Sequence, residues 1–110
     1  MSLSDSQFHD LVDATQRNLE DIIDDSDVDI DIENSAGILT LTFINQQQLI
    51  LSRQEPLKQL WLADRSGGFH FDFDNQDQQW RCDSNQQTLS EMLSEILLTH
   101  TQQTFDLSSL

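Results

Sequence analysis

A change of hydrophobic period near residue 26 constrains this chain more than any other feature. Up to that point Phe8, Leu11, Val12, Thr15, Leu19, Ile22 and Ile23 recur at helical spacing. They define one apolar stripe of an amphipathic helix over residues 4–25. Beyond it, in "DVDIDIE", Val28, Ile30 and Ile32 alternate with Asp27, Asp29, Asp31 and Glu33. Period-two alternation is the pattern of a strand with one buried and one solvated face, and it predicts a strand over Asp27–Glu33. A helix stripe and a one-faced strand can only be buried against each other, which points to a helix layer on a sheet.

The alternation persists through "GILTLTFI", "QLILSRQ", "PLKQLWLAD", "GGFHFDFD" and "QWRCD". The separators "NSAG", "NQQ", "QEP", "RSGG" and "NQDQ" are short and turn-like, which suits an antiparallel meander over residues 26–83. Pro56 fits only at the start of its strand. "TLSEMLSEILLTH" predicts a second helix over residues 88–100, opened by a capping box from Thr88 to Glu91 and turning Leu89, Met92, Leu93, Ile96 and Leu97 inward. Phe105, Leu107 and Leu110 in the tail, residues 101–110, are available for packing. The expected fold is a single α+β domain, a two-layer sandwich with both helices on one face of a five- to six-stranded antiparallel sheet. The other face is left to solvent. With Leu60 and Leu62 turned to the core, Trp61 falls on that open face, and His70, between Phe69 and Phe71, joins it.

Twenty acids stand against five Lys and Arg in 110 residues, a formal net charge of −15. That balance argues against nucleic acid and anionic membranes and for cations or basic proteins as partners. A single cysteine, Cys82, rules out an internal disulfide and a CxxC site, and reads as a small buried residue. No signal-like or bilayer-length apolar run occurs, so the expected location is the cytoplasm.

Seven of the thirteen residues from Asp21 to Glu33 are carboxylates with no base among them. With Glu20 they form a one-sign ridge running from the outer face of the helix onto the strand: Glu20, Asp21, Asp24, Asp25, Asp27, Asp29, Asp31 and Glu33. Alternate strand residues lie about 6.6 Å apart, so each neighbouring pair repels by roughly 0.6 kcal/mol in water before screening. A cation or a basic partner would relieve that repulsion. Carboxylate oxygens without thiolates suit hard ions such as Fe(III), Fe(II), Mn, Mg or Ca. The spacing excludes an EF-hand, because Ile32 and Ile38 stand where its Gly and Glu would be. Ligands spread along an open ridge predict weak binding of several ions. His9 and Asp13 form an i, i+4 pair that could add a secondary transition-metal contact, although a surface histidine is the simpler reading. His100 is expected to serve the C-terminal end of the second helix. No nucleophile–base pair, phosphate loop or nucleotide fingerprint is present, which favours a binding and regulatory protein over an enzyme.

The order of elements, the acidic first helix and strand, and the run "SRQEPLKQLWLADRSGGFHFDF" resemble the bacterial form of the frataxin family. The string Arg53, Gln54, Pro56, Gln59, Trp61, Ala63 and the string Gly67 to Phe71 carry the resemblance most specifically, and Phe8-His9 and "GILTLTF" agree with it. Ser52 and Phe69 depart from the usual Asn and Tyr. The resemblance implies weak iron binding, as Fe2+ or Fe3+, at several sites on the ridge. It also implies a role in iron-sulfur cluster assembly, as a regulator of the cysteine desulfurase and scaffold complex and as an iron donor. Glu20, Asp21, Asp24 and Asp25 would dock a basic patch of the desulfurase, and an open face with Arg53, Gln59, Trp61 and His70 would contact the assembly complex. The tail would lie between the helices, and the protein would be a monomer that could oligomerise with iron. Two alternatives remain at this point: a ferroxidase that stores iron, and an acidic adapter for a basic protein with no metal role.

Overall fold

A computed structural model describes residues 3–110. Helix α1 spans Asp5–Asp24 and is followed by strands β1 (Asp31–Ser35), β2 (Ile38–Thr42), β3 (Gln48–Gln54), β4 (Gln59–Asp64), β5 (Gly67–Asp74) and β6 (Gln79–Cys82), and helix α2 spans Leu89–Thr101. The six strands lie in sequence order, each antiparallel to its neighbour. Both helices open with capping boxes. The Ser4 hydroxyl accepts from the Gln7 backbone N–H, and the Thr88 hydroxyl from that of Glu91. Each box satisfies helix-end donors that would otherwise be unpaired.

The apolar parity of the strands and the helix stripes meet in one core. Phe8, Val12, Leu19 and Ile23 of α1 and Leu89, Met92, Leu93 and Leu97 of α2 pack over Leu39, Leu41, Leu49, Leu51, Leu60, Leu62, Phe71 and Trp80 of the sheet. Among the described residues, two polar side chains, Thr15 and Gln16, are buried, and both are bonded. Gln16 donates to the carbonyls of Gly37 and Leu51 at 2.9 and 3.0 Å, tying α1 to the β1–β2 turn and to β3. Trp80 donates its indole N–H to the Thr15 hydroxyl at 3.0 Å. Thr15, read from the sequence as part of the apolar stripe, is therefore buried for a polar reason.

The tail seats as its apolar residues predict. Leu107 is buried, with Phe105 and Leu110 half-buried against the core. Its backbone is bonded to both helices. Ser90 of α2 donates to the Leu107 carbonyl at 3.0 Å, and Asn18 of α1 donates to that of Ser109 at 2.9 Å.

Two local expectations are corrected, and a third, for His100, is extended. The first strand begins at Asp31, not Asp27, because its partner β2 ends at Thr42, opposite Asp31. The chain then closes the turn in which the Phe43 N–H donates to the Gln47 carbonyl. Residues 27–30 thus run past the end of the ladder without a strand partner, yet they keep their alternation, with the aspartates exposed and Val28 and Ile30 half-buried. Pro56 does not start a strand but sits in a short 3-10 turn, Glu55–Leu57, ended by Lys58 in the left-handed region. His100 stacks on Phe43 with ring centroids 4.3 Å apart, so it joins α2 to the β2–β3 turn instead of serving the helix end alone.

Candidate functional site

The acidic ridge is assembled from the end of α1, the segment 25–30 and β1. Its corner is held by Ser26, whose hydroxyl donates to the Ile23 carbonyl at 2.6 Å and accepts from the Val28 N–H at 3.3 Å. Further along, Asn34 of β1 donates to Glu20 Oε2 at 3.1 Å, so helix and strand rows are stitched into one surface. Asp21, Asp24, Asp25, Asp27, Asp29, Asp31 and Glu33 are all exposed, and Glu20 is half-exposed. Asp29 and Asp31 border a small cleft of about 100 Å³ beside the β2–β3 turn.

Among the described residues, no ion pair with Lys or Arg reaches this ridge. The ion pairs that Lys and Arg make within that set join Arg53 to Asp13 and Glu55, Lys58 to Asp5, and Arg81 to Asp74 and Asp77. None reaches a carboxylate between Glu20 and Glu33. Nor do three His, Cys, Asp or Glu side chains of the described residues converge on one point to make a ready coordination shell. The donor set, carboxylate oxygens open to water, fits a hard cation that retains most of its hydration.

His9 and Asp13 lie apart from the ridge, in a cluster with Arg53 and Glu55. The Arg53 guanidinium donates to His9 Nε2 at 3.0 Å and lies 3.5 Å from Asp13 Oδ1 and 3.1 Å from Glu55 Oε1. An arginine has no acceptor, so His9 Nε2 must carry the lone pair, and Nδ1–H faces Glu55 Oε1 at 3.2 Å. The two side chains expected to chelate are thus engaged in an arginine-centred network. Arg53 itself corrects a second expectation. It shares strand parity with Leu49 and Leu51, pairs with Leu60, and its side chain is only 16% exposed on the helix side of the sheet. It does not belong to the open face. Its guanidinium lies over Gly37, where a Cβ would come within 2.9 Å of Arg53 Cζ and where φ is +81°. Only glycine meets both demands.

On the open face Ser52, Trp61 and His70 lie in register across β3, β4 and β5. Trp61 stacks on the His70 imidazole, centroids 4.2 Å apart and planes 16° from parallel. Its indole N–H donates to Gln59 Oε1 at 3.0 Å, and the Gln59 amide donates to Asp72 Oδ1 at 3.2 Å. On the far side of the imidazole, Nδ1 lies 3.9 Å from Asp83 Oδ2. Gln59, Trp61 and His70 therefore form one preorganised group. Asp72 and Asp83, which hold its two ends, were missed in the sequence. The parity of "GGFHFDFD", which puts Asp72 on the face of His70, was a signal for the first, whereas Asp83 is brought to His70 by the pairing of β5 with the end of β6.

The chain is thus an antiparallel meander covered on one face by two helices, with a one-sign acidic ridge at its first edge and an aromatic group on its open face. The frataxin-like domain family model matches residues 1–103, and the chain belongs to the frataxin family. It is 59% identical over 110 residues, covering 100% of both chains, to the iron-sulfur cluster assembly protein CyaY of Pseudomonas fluorescens. Among solved structures it resembles frataxin from Psychromonas ingrahamii, with a TM-score of 0.89 and 33% identity over 96% of this chain and 98% of that one. It also resembles trimeric frataxin from Saccharomyces cerevisiae complexed with ferrous ion, with a TM-score of 0.70 and 27% identity over 94% and 90% of the two chains.

Proposed function

We propose that this chain serves iron-sulfur cluster assembly as an iron-binding regulator of a cysteine desulfurase and its scaffold. The observation that carries this reading is the ridge: eight carboxylates from Glu20 to Glu33 on one surface, with no ion pair directed at them among the described residues. Open all-oxygen donors suit Fe(II) or Fe(III) as a weakly held cargo at several positions, each ion keeping part of its water shell. The same surface attracts a basic patch on the desulfurase, so iron and enzyme compete for Glu20, Asp21, Asp24 and Asp25. A second contact lies on the open face at Gln59, Trp61 and His70, while Arg53 is withdrawn from it. The names of the close relatives and the ferrous complex of the yeast protein support this assignment.

Titration of the protein against a purified cysteine desulfurase, with and without Fe(II), tests the reading. Binding should weaken as salt rises and when Asp21, Asp24 and Asp25 are changed to Asn, and Fe(II) should alter the affinity of the wild-type chain. Binding that ignores both the substitutions and iron would overturn it.

A further inference from the structure

We propose that His70 is a proton-sensitive clamp on Trp61, so that the open face changes its binding state with pH. The imidazole is held between two groups that distinguish its charged from its neutral form. On one side is the indole face, 4.2 Å away between centroids, which attracts a cation through its quadrupole. On the other is Asp83 Oδ2, 3.9 Å from Nδ1, a separation at which a neutral ring makes no hydrogen bond but a charged ring is attracted. The Asp83 backbone is already fixed to the strand, since its N–H donates to the His70 carbonyl at 2.9 Å, so only the two side chains need to move. Histidine is the one side chain whose ordinary titration falls between about pH 5 and 8.

The other groups around the ring do not compete for this role. Asp72, two residues along β5, is occupied by the Gln59 amide and lies opposite Arg81, which is itself paired with Asp74 and Asp77. From β4 the neighbours are Gln59, Trp61 and Ala63, none of them charged. Protonation of His70 therefore draws the ring toward Asp83 and strengthens the stack at once, and Trp61 is held in one orientation. Deprotonation removes the attraction to Asp83 and the cationic part of the stack, leaving the indole held by a neutral ring contact and by Gln59. The clamp stands on the geometry of the isolated chain. Its use in partner binding rests on the assignment of this face given above.

The test uses the full chain and needs no partner. Two tryptophans give two indole N–H signals in a nitrogen–proton correlation spectrum, and Trp80, buried beneath α1, supplies an internal control. Across about pH 5 to 8 the Trp61 indole signal should shift in a single transition while the Trp80 signal stays in place. His70→Gln should abolish that shift with both signals retained, and Asp83→Asn should reduce its size. A stationary Trp61 signal, or a shift that survives in His70→Gln, would overturn the clamp. Desulfurase binding left unchanged by His70→Gln, with the Trp61 shift as expected, would count only against the assignment of the face.

Discussion

Arg53 and Trp61 stand in paired strands and in one sequence string, yet strand parity sends them to opposite faces. Trp61 could be placed from the sequence because Leu60 and Leu62 flank it. Arg53 carries the same kind of signal in its spacing from Leu49 and Leu51, which places it on their face. A charged residue at an inward position, however, has no place in a purely hydrophobic pattern. Its partners, His9, Asp13 and Glu55, lie in two other elements and are invisible to local periodicity. The two residues should therefore respond differently to truncation. Arg53→Ala removes the only cation from a cluster of two carboxylates and leaves a void over Gly37, so stability should fall by roughly 1–2 kcal/mol while partner binding is retained. Trp61→Ala should cost less than about 1 kcal/mol, in line with a partly exposed site, and weaken partner binding. Urea unfolding of the two variants, read beside their affinity for the desulfurase, checks both. Equal losses of stability would contradict the assignment of faces.

At the scale of elements, the sequence displays what depends on periodicity and hides what depends on a neighbour. Both helices, their capping boxes and the meander follow from local patterns. The start of β1 does not, because the length of a ladder is set by where the partner strand ends, and β2 turns away after Thr42. The second capping box has a measurable consequence. The Thr88 backbone N–H and hydroxyl both donate to the Glu91 carboxylate and hold its pKa below the ordinary glutamate value. A depressed carboxylate contributes stability that is fully present above the unfolded-state pKa, about 4.3, and is lost as pH falls through the folded value. Glu91→Gln should thus flatten part of the acid limb of a melting-temperature profile below about pH 4.3. An unchanged acid limb would mean that the cap is not formed in solution. The tail makes a separate case. Deletion after Thr101 exposes the site of Leu107, whose burial is worth about 1.5–3 kcal/mol before ordering of the chain is subtracted, so the melting temperature should drop. An unchanged melting temperature would indicate that the tail does not pack on the helices.

For the molecule as a whole, a net charge of −15 is distributed unevenly. The bases that form ion pairs serve the N-terminal half of α1, the turn after β3 and the β5–β6 hairpin, while the ridge keeps its repulsion. That repulsion is strongest when α1 and β1 are locked together by contacts such as Asn34 to Glu20, so folding concentrates it. Cations that bind the folded ridge should stabilise the chain, by about 2.7 kcal/mol per site at one hundred times the dissociation constant. Differential scanning calorimetry with Fe(III), a lanthanide or added salt should show a rising melting temperature; a flat or falling response to all three would contradict the repulsion. The acidic run could be read directly from the sequence. Its stitching to Glu20 and the lack of ion pairs to it among the described residues could not, since both depend on which side chains the fold brings together.

On the proposed function, the ridge, and not the His9 cluster or the open face, receives iron. An anaerobic Fe(II) titration followed by nitrogen–proton correlation spectra of the full chain tests it most directly. Signals from residues 20–33 should shift or broaden first and at the lowest iron concentrations, and changing Asp24, Asp25, Asp27 and Asp29 to Asn should remove most of that response. Early changes centred on His9, Asp13 and Glu55, or changes spread evenly over the chain, would contradict the claim.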